Sequence, residues 1–66
     1  MKRSANVKRF SEGWFVECFE ETATSKEKLH ELLVYAKSEG SLQSAMAVAL
    51  GRAEMWVKCG LAVASF

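Results

Sequence analysis

The segment from Ser41 to Trp56 constrains this chain more than any other. Ala, Leu, Met and Gln dominate it, and these are good helix formers. Ser41 stands where its hydroxyl can cap the amide of Gln43 or Ser44. On one straight helix Leu42, Met46, Ala49, Ala53, Trp56 and Val63 form an apolar stripe, with Leu50, Val57, Leu61 and Ala64 forming another beside it. Gln43, Ser44, Glu54 and Lys58 collect in a narrow polar sector, from which Arg52 departs. A helix apolar over most of its circumference is buried on more than one side. The segment therefore reads as the central helix of a bundle or the seam of an oligomer. Gly51 and Gly60 are its candidate breaks, and the tail 61–66 either frays or pairs as a short strand.

The segment before it also carries helical signals. Thr24-Ser25-Lys26-Glu27 spells a capping box, with Thr24 accepting from the Glu27 amide and Glu27 reaching back. Leu29, Leu32, Leu33 and Ala36 fall at helical spacing, and Gly40 sits where a C-terminal cap belongs. The short link then favours two antiparallel helices, about 25–39 and 41–59. The N-terminal third admits two readings. As a helix it is capped by Ser11, with Val7, Phe10, Trp14 and Cys18 on one face. As a hairpin it turns at Ser11-Glu12-Gly13, with Gly13 in the left-handed position. The helix is favoured because the hairpin's alternation is poor. The expected fold is mainly α, a small helical bundle built on the helical hairpin. The alternative is α+β with an N-terminal β-hairpin over about 7–20.

With 66 residues, the chain makes one small domain, 1–66, and a marginal one, because apolar burial must offset the entropy of every ordered residue. Phe10, Trp14, Phe15, Phe19, Trp56 and Phe66 are a surplus of large apolar groups. Self-association is the usual resolution, so a homodimer is expected. Leu33 and Trp56 are candidate core residues. The net charge of +1 advertises neither nucleic acid nor an anionic membrane. The longest apolar run, Ala45 to Leu50, is far too short to span a bilayer. Cys18 and Cys59 are too few for a disulfide framework and point to reduced thiols in the cytosol.

Little in the chain suggests catalysis. Cys18 or Cys59 can be written beside His30, but neither pair has a third, orienting group. Cys18, Cys59 and His30 lack close ligand spacing for a metal, and the glycines stand singly, so no phosphate loop is present. The expectation is a non-enzymatic, cofactor-free regulatory or protein-interaction module from a compact bacterial or phage genome. It acts in the cytosol through an apolar helical surface, with Trp14, Phe15, Met46, Met55 and Trp56 at the partner or dimer interface.

One local pattern points elsewhere. Gln43-Ser44-Ala45-Met46-Ala47-Val48-Ala49-Leu50-Gly51, with Val57 six positions on, resembles the second helix and turn of phage-repressor-type helix-turn-helix proteins. The resemblance covers residues 43–57 and departs from the pattern at Arg52, where the family usually has an apolar residue. It implies a DNA-binding regulator with Gly51 in the turn and Gln43 on a phosphate. Arg52, Glu54, Met55 and Lys58 would lie along the recognition helix, with the basic arm of Lys2, Arg3, Lys8 and Arg9 nearby. That reading requires the helix to break at Gly51, whereas one glycine costs a helix only about 1 kcal/mol. An unbroken helix is expected.

Overall fold

The computed structural model describes residues 2–60. Three strands precede two helices: β1 (Lys2–Phe10), β2 (Gly13–Glu21), β3 (Lys26–Tyr35), α1 (Ala36–Glu39) and α2 (Leu42–Cys59). The strands form one antiparallel sheet in the order β1-β2-β3. α2 lies on one face, chiefly over β1 and β2. The fold is α+β, and the mainly helical bundle expected from the sequence is not formed.

The N-terminal third is the hairpin, longer than the 7–20 span at both ends. Val7 faces Val16 across the pair, and the two-residue turn Ser11-Glu12 joins Phe10 to Gly13. The helical reading of this third fails because Trp14, Val16 and Cys18 go inward while Phe15, Glu17 and Phe19 go outward. The alternation looked poor because the outward row is aromatic too. Gly13 is not left-handed, since among the described residues only Gly40 and Gly60 have positive φ. It is needed for room: a Cβ there would collide with the Val34 carbonyl oxygen of β3.

The helix expected over 25–39 is a strand for most of its length. The capping box is not used. Instead the Thr22 hydroxyl accepts from the amides of Ser25 (3.2 Å) and Thr24 (3.4 Å), and the Thr22 amide donates to the Ser25 carbonyl (2.8 Å). That closes the turn from β2 to β3. Leu32 and Val34 then point inward, 6% and 7% exposed, while Leu33, expected in the core, is 51% exposed. Leu32 and Val34 are a two-residue repeat hidden inside the helical pattern, and pairing with β2 selects it. The register shifts between Cys18 and Phe19, so that Cys18 faces His30 and Phe19 faces Lys28. Leu29 is absorbed as the extra residue of a bulge. Helix survives only in α1, which Gly40 ends at φ 95°, in the expected capping position.

α2 forms as expected. The Ser44 amide donates to the Ser41 hydroxyl at 3.0 Å, and the helix runs through Gly51 to Cys59. Gly60 (φ 70°) ends it by donating to the Trp56 carbonyl at 2.9 Å. The tail 61–66, with Leu61, Val63, Ala64 and Phe66, lies outside the described residues. The buried core is Val16, Cys18, Leu32, Val34, Ala45, Ala49 and Trp56, with Ala5, Val7, Trp14, Ala36, Val48 and Ala53 packed around it. The alanines let the α2 backbone approach the sheet, and two indoles pin its ends. Trp14 Nε1 donates to the Leu42 carbonyl, and Trp56 Nε1 to the Phe19 carbonyl, both at 3.0 Å.

Candidate interaction surface

The strands place two apolar surfaces outside the core. The first is the outer sheet face, opposite α2. At its turn end Phe10 contacts the rings of Phe15 (6.1 Å) and Tyr35 (5.8 Å), and Leu33 stands opposite Phe15. At the far end the Lys26 ammonium sits 4.7 Å from the Phe19 ring centroid. Between them runs a chain of ion pairs: Lys8–Glu17 (3.2 Å), Glu17–Lys28 (3.4 Å) and Lys28–Glu31 (3.3 Å). The hydrogen bond from Lys8, supported by Lys28, holds the Glu17 carboxyl below its ordinary range. Hydrogen bonds to Glu31 and then Glu17 hold Lys28 above its own.

The second surface is one flank of α2. At about 100° per residue, Met46, Leu50 and Val57 fall within roughly 40° of one another. They are 36%, 52% and 44% exposed, and Leu42 at 40% extends the row. These exceed the exposure of any core member, so none of the other described elements buries the row.

The interface residues expected from the sequence do not converge. Trp56 is buried and Trp14 half-buried, both on the inner face, whereas Phe15 lies on the outer face. Met46 and Met55 are both exposed, but nine residues put them about 180° apart on α2. Leu29, Leu33, Tyr35, Leu42, Leu50 and Val57 are exposed apolar residues outside that expected set. The four-residue steps from Leu42 to Met46 to Leu50, and the seven-residue step to Val57, were the available signal for the α2 row.

The expected nucleic-acid contacts scatter as well. Lys2 is on β1 beside Glu21. Arg3 turns to the end of α2, where Nε donates to the Trp56 carbonyl (2.9 Å) and a terminal nitrogen to Lys58 (3.3 Å), complementing the negative helix end. Arg9 donates to the carbonyls of Phe10 and Gly13 and lies over the Trp14 ring. Gln43 and Arg52 are again about 180° apart, and Lys58 pairs with Glu54 at 3.7 Å. The turn that the helix-turn-helix resemblance places at Gly51 is absent, because residues 43–57 belong to one continuous helix.

Cys18 and His30 become cross-strand neighbours, and the His30 ring meets Trp56 edge-on at 5.4 Å. Burial pushes the Cys18 thiol up, which keeps it protonated and a poor nucleophile. Among the described residues no group of three His, Cys, Asp or Glu is placed to hold a metal. Compared with family models, curated proteins and solved structures, the chain matches none of them.

Proposed function

We propose that this chain is a small, non-enzymatic protein-interaction or regulatory module that acts through the apolar flank of α2. The observation that carries this reading is the row Leu42, Met46, Leu50 and Val57, all at least 36% exposed on a helix whose ends are already pinned. A contiguous apolar row on a rigid element is what partner surfaces are made of, and anchors at such spacing are a recurrent mode of helix recognition. We place its action in the cytosol. Cys18 and Cys59 unpaired support that, and no described helix is long and apolar enough to cross a membrane.

Nucleic acid is the second reading. It is favoured by Lys2, Lys8, Lys26 and Lys28 alternating with Phe10, Phe15 and Phe19 on the outer sheet face, a mixture suited to stacking on unpaired bases. It has less support, because Lys8 and Lys28 are engaged with Glu17 and Glu31. Photo-crosslinking side chains at position 50 and, separately, at position 15 test both readings in the native host. A protein adduct from position 50 is expected. A nucleic-acid adduct from position 15 that weakens steeply with salt selects the second reading, and no adduct from either position overturns both.

A further inference from the structure

β1 is a nine-residue strand paired, among the described residues, on one side only. It contains no proline, and its register with β2 is unbroken. The Ser11-Glu12 turn is closed by a hydrogen-bonded Phe10–Gly13 pair, as two-residue turns are. Antiparallel alternation then directs the backbone N–H and C=O of Arg3, Ala5, Val7 and Arg9 away from β2, toward the free edge. An edge of this length is a ready template for another strand.

The apolar flank of α2 hangs over that same edge. Seen from α2 with β2 running upward, L-chirality points the backbone groups of inward-facing Val16 and Cys18 to the right. By alternation these pair with β3, so β1 lies on the left. α2 also runs upward, from Leu42 at Trp14 to Trp56 at Phe19. A right-handed helix with Ala45, Ala49 and Trp56 against the sheet therefore carries Met46, Leu50 and Val57 to the left.

A second copy satisfies both surfaces at once. Strands lie about 4.8 Å apart, and α2 lies over the β1–β2 pair. Across a β1–β1 junction the two α2 axes then stand about 9–10 Å apart, within the spacing of packed helices. The midpoint between Leu50 and Ala53 lies ~14 Å beyond Leu42. The Trp14 indole, on the residue facing Arg9, reaches the Leu42 carbonyl, so ~14 Å along β1 from Arg9 reaches Ala5. Counting ~7 Å back from Trp56 at Phe19, opposite Ser4, reaches its neighbour Asn6. A two-fold axis at Ala5 sets Arg3 opposite Val7 of the second copy. On the helices it sets Leu50 against Ala53 and Met46 against Val57, large against small, at the 4-3-4 spacing of a helix seam. Basic edge residues ordinarily oppose such pairing. Here each has compensation within its own chain: Lys2 faces Glu21, Arg3 caps α2, Lys8 pairs with Glu17, and Arg9 sits on carbonyls and Trp14.

We infer that the partner of the α2 flank is a second copy of this chain, joined edge to edge through β1 into a six-stranded antiparallel sheet that carries two antiparallel α2 helices. This rests on the interaction reading above. Light scattering of the purified full chain over a concentration series should give twice the 7.3 kDa chain mass. Leu50→Glu alters only an exposed side chain, whereas Ala5→Pro removes an edge-facing N–H and also fixes φ at about −65° at a residue packed beside the core. Each should halve the mass while circular dichroism stays that of the folded protein, whereas Tyr35→Glu on the outer face should leave the dimer intact. Where Ala5→Pro fails to fold, amide exchange of the unmodified chain decides: Ala5 and Val7 must be protected in the dimer and lose protection on dilution. A monomer at every concentration overturns the inference, as does a dimer that Tyr35→Glu breaks while Leu50→Glu spares it. A monomer whose position 50 still crosslinks to another protein overturns the self-pairing alone; a monomer without any adduct from position 50 also removes the interaction reading.

Discussion

The two faces of the sheet are made from the same three strands, and they solve opposite problems. The inner face carries Val16, Cys18, Leu32 and Val34, all buried, and meets a helix that offers Ala45 and Ala49 so that backbones come close. The outer face carries larger groups, Phe10, Phe15, Phe19, Leu33 and Tyr35, which lie beside an ion-pair chain and under no other described element. Bulk is thus not what decides burial here. The inner residues are in the core because α2 is pinned over them at Trp14 and Trp56, and a single register step would exchange the two sets.

The largest expected effect is at the pin. Trp56→Ala should cost about 3–5 kcal/mol, enough to abolish the cooperative urea transition of so small a domain. If the variant unfolds near the original midpoint, α2 does not define the inner face. Adjacent leucines give the cleanest contrast. Leu32→Ala should cost about 2–5 kcal/mol, whereas Leu33→Ala, half-exposed in the single chain, should cost under about 1 kcal/mol; equal costs in denaturant melts would mean that the outer face is covered in solution. Gly13→Ala forces a Cβ against the Val34 carbonyl and should cost about 1–3 kcal/mol, read as a lower thermal midpoint.

Glu17→Gln should have the smallest effect, because its ion pairs are at the surface. Its signature is in pH. The folded carboxyl titrates below its unfolded value, so its contribution is present above the unfolded pKa and lost as pH falls through the folded one. The unmodified protein should therefore lose more stability than the variant between neutral and acid pH. Parallel melting curves across that window would show that the outer ion-pair chain contributes nothing.

Several features were legible in the residues themselves. Ser41 opens α2 as expected, and of the two candidate breaks Gly60 closes it while Gly51 does not, because a side-chain acceptor and a left-handed glycine are local devices that need no distant partner. Gly40 ended a helix as expected, although a far shorter one. Trp56 was recognisable as core from its place on an apolar stripe. The residues expected at an interface do not share one face, because Trp14, Phe15, Met46 and Met55 share composition but not direction, and direction depends on which period the backbone adopts.

Residues 25–39 mark the boundary between what sequence and tertiary structure decide. Sequence alone determined α2, its Ser41 cap, and the shortage of core that such a short chain must face. It held two consistent answers for 25–39: a capping box with helical spacing, and the strand repeat of Leu32 and Val34. Isolated helical propensity amounts to a few tenths of a kcal/mol per residue. Pairing along the whole of β2 and burial beneath α2 outweigh it, and both act only once residues distant in sequence meet. The tertiary structure therefore made β3 a strand, turned Leu33 outward, and left the flank of α2 exposed above a β1 edge that no other described strand pairs.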